Sequence, residues 1–189
     1  MQGSMTPGLL GDLQNQFDLD IAMTGIRGST FESDAPVTSS TPIQGRVAVS
    51  FGDGTIHFFS SASDKVISQT HSGVVLCMTS AGDSVLSGGD DGRLKRTSIN
   101  GEIQEIAGFG TKWVDAVAAS HETIACSSER TVYLWSDDIE TPFKLEHQSS
   151  VGGLAFDASG RRLAVSHYGG VTLWERTKQI LRCQATRQK

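Results

Sequence analysis

Apolar and polar residues alternate with a period of two along most of this chain. "RVAVSF" (46–51), "SVLSGG" (84–89), "TIACSS" (123–128) and "RLAVSH" (162–167) are short apolar runs. Each is followed by a tight turn and then by "TIHFF", "RLKRT", "TVYLW" or "GVTLW". That order reads as strand, hairpin turn, strand. A further strand precedes the later pairs, in "VVLCMT" (74–79), "WVDAVAA" (113–119) and "VGGLAFD" (151–157). Another follows, in "KVISQ" (65–69), "EIQEIA" (102–107) and "PFKLE" (142–146). No segment carries apolar residues at i, i+3, i+4 and i+7 over several turns, so the pattern predicts an all-β chain.

The strands recur. The apolar residue after each turn is Ile56, Leu94, Val132 or Val171, at intervals of 38, 38 and 39 residues. The ends of the same runs, Phe59, Thr97, Trp135 and Trp174, keep those intervals. The period predicts four units of four antiparallel strands, over roughly 20–70, 71–109, 110–147 and 148–175. One small sheet cannot bury its own face, so the units must stack. Ala48, Ser87, Ala125, Ala164 and Ser166 suit close approach on the second strand. Trp135 and Trp174 recur at one repeat position and are therefore expected to pack between sheets. Residues 33–45, "SDAPVTSSTPIQG", read as a loop between the first two strands of unit one. Residues 1–19 read as a flexible lead, and 176–189, "RTKQILRCQATRQK", as a basic tail where a further strand is due and does not come.

Composition narrows the class. Hydrophobic residues are 38 % and charged residues 20 % of the 189 positions, as in a soluble globular domain. A net charge of −5 gives no basic footprint for nucleic acid. No run reaches the length of a membrane span, and the N-terminus lacks a basic segment followed by an apolar one, so the expected compartment is the cytoplasm. Cys77, Cys126 and Cys183 match no CxxC spacing and read as free thiols.

Gly88-Gly89-Asp90-Asp91-Gly92 is the stretch that most resembles a site. Paired carboxylates suit a hard divalent cation, but the acidic run ends at Gly92 with no alternating series. The phosphate-loop pattern needs a Lys-Ser/Thr pair after the last glycine, and Arg93-Leu94 stands there. Asp and Gly are also favoured in hairpin turns, and Asp53-Gly54 repeats the pattern one unit earlier. The stretch is therefore read as a turn. Among the histidines, His71 and His147 are related by the repeat, His57 is placed on the exposed side of a strand and His121 on a turn. No Gly-x-Ser-x-Gly elbow occurs, so no Ser–His–Asp nucleophile set is expected. Alternation puts Arg96 on the packed side with Leu94, where it is expected to find a carboxylate.

The unit "EHQSSVGGLAFDASGRRLAVSHYGGVTLWE" (146–175), with the period near 40 and the terminal Trp, resembles the WD-repeat β-propeller family. "LSGGDDGRLKRT" and "GTKWVDAVA" resemble in particular an uncharacterised group of bacterial, mainly alphaproteobacterial, WD-repeat proteins. The resemblance implies stacked four-stranded blades held by a relay of His, Ser or Thr, turn Asp and Trp. His71 and His147 take the His place, Asp53 and Asp91 the turn Asp, and Trp135 and Trp174 the Trp. The Trp-Asp dipeptide is absent, Thr97 replaces one Trp, and Gly169 stands near the turn position of unit four. Four blades also fall short of the family's usual seven, which reads as a truncated or partial ring that a second copy could complete.

For function, the resemblance implies a non-enzymatic scaffold that binds a protein or peptide on its loop face, with no cofactor or metal. That face is expected to carry Phe51, Asp53, Asp90, Asp91, Phe109, Lys112, Trp113, Arg130, His167 and Tyr168, with Phe109, Trp113 and Tyr168 as anchors. For Trp113, packing at a strand start is an equal reading. The alternatives are a propeller-scaffold hydrolase or lyase with a metal at the central funnel, and a fragment without independent function.

Overall fold

A computed structural model describes residues 28, 30–61, 64–121, 123–136, 141–176 and, for the backbone, 181–184. The lead at 1–19 lies outside the described residues. All of the described strands lie from Ser33 onward. They form four antiparallel sheets, each in chain order. The first holds β1 (Val37–Ile43), β2 (Arg46–Phe51), β3 (Thr55–Phe59) and β4 (Lys65–Gln69). The second holds β5 (Val75–Ala81), β6 (Ser84–Gly89), β7 (Arg93–Ser98) and β8 (Ile103–Gly108). The third holds β9 (Ala116–Ala119), β10 (Thr123–Ser128), β11 (Thr131–Ser136) and β12 (Phe143–Glu146). The fourth holds β13 (Val151–Phe156), β14 (Arg162–His167), β15 (Gly170–Arg176) and β16 (Leu181–Gln184). Contact between neighbouring sheets is concentrated on their first strands, β1 to β5, β5 to β9 and β9 to β13, so the sheets fan outward from there. The fold is all-β, four stacked propeller blades in an unclosed ring.

The core lies between blades. Ile56 and Phe58 of blade one pack against Val75 and Val85 of blade two. Leu86 and Leu94 of blade two meet Val114 and Cys126, with Trp135 alongside. Ala125, Val132 and Leu134 of blade three meet Val151, Leu163 and Val165, with Trp174 alongside. The two tryptophans thus pack between sheets, as their repeat position predicts. Burial raises the thiol pKa of Cys77 to about 12 and that of Cys126 further still, and both are free thiols.

Three expectations need correction. Residues 37–43 are not loop: they form β1, paired with β2 from Ile43↔Arg46 to Val37↔Phe51. The two prolines and the Ser/Thr content hide a strand that makes its ladder bonds with only one neighbour. The basic tail likewise supplies a strand, β16, with Trp174↔Cys183 in register. It is an outer strand, where polar side chains are the rule. His57 is not on an exposed face; it is buried, with its ring 4.4 Å from Phe51 and 5.9 Å from Phe59.

Candidate functional site

The hairpin turns between second and third strands fix one end of the blades. Gly54, Gly92 and Gly169 have φ of 85°, 72° and 91°, the left-handed region that glycine enters freely. They stand two residues before Ile56, Leu94 and Val171, so Asp53, Asp91 and Tyr168 occupy one structural position. Blade three turns instead on Glu129, at φ 56°. Carbonyls of these turns accept bonds from the loop that leads to the next blade. The Gly54 carbonyl accepts from the N–H of His71, that of Gly92 from Phe109 and that of Arg130 from His147. The two sets of loops therefore form one face, as the resemblance implies.

Blade two contains the most ordered polar group on this face. His71 Nδ1 lies 2.9 Å from Asp91 Oδ1, and its Nε2 lies 2.9 Å from Ser87 Oγ. Asp91 also accepts from the backbone N–H of Ser72 and of Arg93. Burial alone would raise the Asp91 pKa, but the bond from His71, its charge and the two N–H groups outweigh it and hold the carboxylate below its usual range. Burial lowers the His71 pKa, against the pull of Asp91. A neutral ring beside an ionised carboxylate carries its proton on Nδ1 and accepts at Nε2 from the Ser87 hydroxyl.

Ser87, His71 and Asp91 come together as the Ser, His and turn Asp of the structural relay that the resemblance implies. Ser87, His71 and Asp91 stand in the order and at the distances of a nucleophile relay. Their separation of 16 and 4 residues matches no nucleophile motif; only the strand register brings them together. Ser87 and the His71 side chain, however, have no exposed surface. A nucleophile must reach a substrate carbon, and this hydroxyl cannot. The set fastens the β6–β7 turn to the incoming loop. It also explains Gly89, while Gly88 answers to the packing of Val114 and Cys77. A Cβ on Gly89 would strike His71 and Asp91, and one on Gly88 would strike Val114 and Cys77.

Blade four lacks this arrangement. His147 is buried and accepts from Trp174 Nε1 at 3.2 Å through Nε2, while its Nδ1 has no hydrogen-bond partner. Burial lowers its pKa, and His167, with its ring 5.6 Å away, lowers it further. Tyr168 occupies the position of Asp91 and is 91 % exposed. Sequence alignment placed Gly169 near that turn position; the positive-φ glycines show that Gly169 corresponds to Gly92.

The remaining candidates divide by exposure. Trp113 precedes β9 rather than starting it and is 56 % exposed, so it is not a strand-start packing residue. Asp53 accepts from the Thr55 hydroxyl at 2.7 Å and the Thr55 N–H at 3.0 Å, which together lower its pKa. Lys112 Nζ lies 2.7 Å from Glu129 Oε2, which raises the lysine pKa, and Arg130 lies 3.8 Å from Glu146. His167 Nε2 is 3.0 Å from the Thr172 hydroxyl. Asp90 donates its N–H to the Val74 carbonyl, and its carboxylate covers Gly73. Phe51 is buried against His57, so it is a packing residue and not part of the surface. Phe109 is half-buried, 4.7 Å from Tyr133 and packed on the core between blades two and three. Arg96 is half-buried on the Leu94 side, as alternation predicts, but no carboxylate lies within ion-pair distance among the described residues.

No protein-family model and no curated protein matches the sequence. Solved structures do match. A computationally designed protein, Ika4, has a TM-score of 0.67 and 20 % identity, over 78 % of this chain and 95 % of that one. A chain of a mitotic checkpoint complex has a TM-score of 0.71 and 16 % identity, over 82 % of this chain and 53 % of that one. A second designed protein, Ika8, has a TM-score of 0.67 and 20 % identity, over 80 % and 50 %. The likeness is one of fold. This chain spans about half the length of the latter two and nearly all of the first.

Proposed function

We propose that this protein is a non-enzymatic interaction scaffold of the WD-repeat type, which binds a protein or peptide through its loop face. Tyr168 carries the reading. Its position holds a turn Asp in blades one and two, and in blade two that Asp completes the relay. In blade four an exposed aromatic ring stands there, and a buried His147 nitrogen is left without its bond. Departures of this kind from local consistency cluster at functional sites. Trp113, also exposed, supplies the second anchor, and aromatic side chains dominate binding hot spots. Lys112, Arg130, Asp53, Asp90 and His167 form a polar surround, so the partner is expected to be mixed in charge rather than polyanionic. The relay residues His71, Ser87 and Asp91 serve the fold, which favours binding over hydrolysis. The chain is read as cytoplasmic; no described helix is long and apolar enough to cross a membrane.

The test is quantitative capture. Proteins retained by the immobilised wild-type chain are compared with those retained by Trp113→Ala and Tyr168→Ala. Loss of the same species from both variants, with unchanged thermal melts, is the expected result. Equal retention by all three chains would refute the loop-face assignment.

A further inference from the structure

The turns between first and second strands lie at the end of the blades opposite the loop face. At the seam of blades three and four they bound a cavity of about 150 Å³, lined by Ser120, His121, Ser159, Gly160, Arg161 and Arg176. It is smaller than the roughly 300–1,000 Å³ of a site for a drug-sized molecule and suits a small ion. Gly160 shapes it. Its φ is 67°, and a Cβ there would stand 3.0 Å from the Ser120 side chain, so the glycine lets the two turns approach. The Arg176 N–H donates to the Arg161 carbonyl at 2.8 Å, next to the paired Arg162 and Glu175. Two arginines therefore stand opposite one another on adjoining strands, where like charges repel. The chain as a whole carries −5, so this positive cavity is a local feature and not part of a general basic surface.

We propose that this cavity binds a phosphoryl dianion, free or as a monoester, at the seam of blades three and four. Arg161 decides the chemistry. Arg93, Lys112, Arg130 and Arg162 each lie within ion-pair distance of a glutamate. Arg161 makes hydrogen bonds only through its backbone N–H, and among the described residues no carboxylate lies within ion-pair distance of its guanidinium. The acids on the same segments are occupied. Asp157 accepts from the Ser159 hydroxyl and from the N–H groups of Arg161 and Arg162, and Glu175 lies 3.7 Å from Arg162. The guanidinium of Arg176 is held at the cavity by the hydroxyls of Thr123 and Ser136, at 3.4 and 3.3 Å. His121 adds a ring N–H in either tautomer. Donors thus come from three segments, the β9–β10 turn, the β13–β14 turn and the end of β15. A carboxylate presents two oxygens in one plane, whereas a phosphate presents oxygens to all three segments and matches the guanidinium fork.

Isothermal titration calorimetry on the full chain at constant ionic strength tests this. The probes are inorganic phosphate and a short phosphoserine peptide, the latter beside its unphosphorylated form. Saturable binding of inorganic phosphate, of the phosphopeptide or of both is expected, and the two arms tell a free ion from a phosphorylated segment. Arg161→Ala should weaken that binding at least about tenfold. The Arg161 side chain has no partner to lose, so this variant should melt like the wild type without phosphate. Bound phosphate joins two blades and should raise the wild-type melting temperature more than that of the variant. Arg93→Ala removes the same charge elsewhere and should bind as the wild type does. No saturable binding of either phosphorylated probe, a peptide that binds equally with and without its phosphate while free phosphate does not bind, affinity unchanged in Arg161→Ala, or an equal loss in Arg93→Ala would each overturn the inference.

Discussion

Blades two and four share four strands, a register shift at the start of the first strand and a buried histidine at the same place, yet they solve the turn differently. Gly88 pairs with Leu94 in blade two, whereas Ser166 pairs with Val171 in the hairpin of blade four, which is one residue shorter. In blade two, His71 is bonded at both nitrogens and the turn that holds Asp91 is fastened to the incoming loop. Its two faces are covered by blades one and three. In blade four, His147 is bonded at one nitrogen only, the ring of Tyr168 stands in solvent, and one face is open. A repeat therefore does not imply equivalence. The interior blade uses the shared framework for stability, while the terminal blade leaves part of it unsatisfied and presents side chains outward.

The largest expected difference concerns the covered and uncovered faces. Leu94→Ala empties a fully buried site and should destabilise by about 2–5 kcal/mol in urea unfolding. Leu173→Ala, at the exposed terminal face, should have an effect under about 1 kcal/mol in dilute protein.

The turn glycines come next. Gly92→Ala places a Cβ against the Gly110 carbonyl at φ 72° and should lose more than about 2 kcal/mol. Gly169→Ala has no atom in its way and should lose only about 1 kcal/mol, the strain of positive φ alone. Equal losses would mean that the two turns are not differently crowded.

Asp91→Ala leaves His71 and the Ser72 N–H without their acceptor and should destabilise by about 1–3 kcal/mol. The same pair sets the pH dependence. The folded pKa of His71 lies below its ordinary value of 6.5 because of burial, so below that pH the unfolded chain binds a proton that the folded chain does not. Stability is thus greatest above 6.5 and falls as pH drops, by up to about 1.4 kcal/mol per unit for this histidine. His57 and His147 act in the same direction. Asp53 and Asp91, with pKa values held below 3.8, add a second loss as pH falls below that value. Urea midpoints measured from neutral pH downward should show the decline, with a flatter profile for His71→Gln.

Most of the framework was legible in the sequence, because strand alternation and a constant period are written directly in residue type. Ile56, Leu94, Val132 and Val171 were located at one repeat position, and the first three are fully buried. What escaped notice depends on neighbours in space. The strand at Val37–Ile43 is masked by Pro36, Pro42 and a Ser/Thr-rich composition, although its inner position in the fan requires no continuous apolar run. Phe51 borders a turn and so reads as surface, yet the pleat turns its ring onto His57. His71 and Asp91 were legible as the His and turn Asp of the implied relay; that Ser87 supplies its hydroxyl follows from register between β6, the following turn and the loop before β5. Asp53 and Asp91 were legible as turn residues; the φ values of Gly54, Gly92 and Gly169 then place Tyr168 at their position.

That replacement offers the most direct test of the account. Tyr168→Asp should give His147 Nδ1 the acceptor that Asp91 gives His71. Urea unfolding at neutral pH should then show a midpoint raised by the equivalent of about 1 kcal/mol. An unchanged or lowered midpoint would contradict the claim that blade four forgoes the relay in order to expose an aromatic ring.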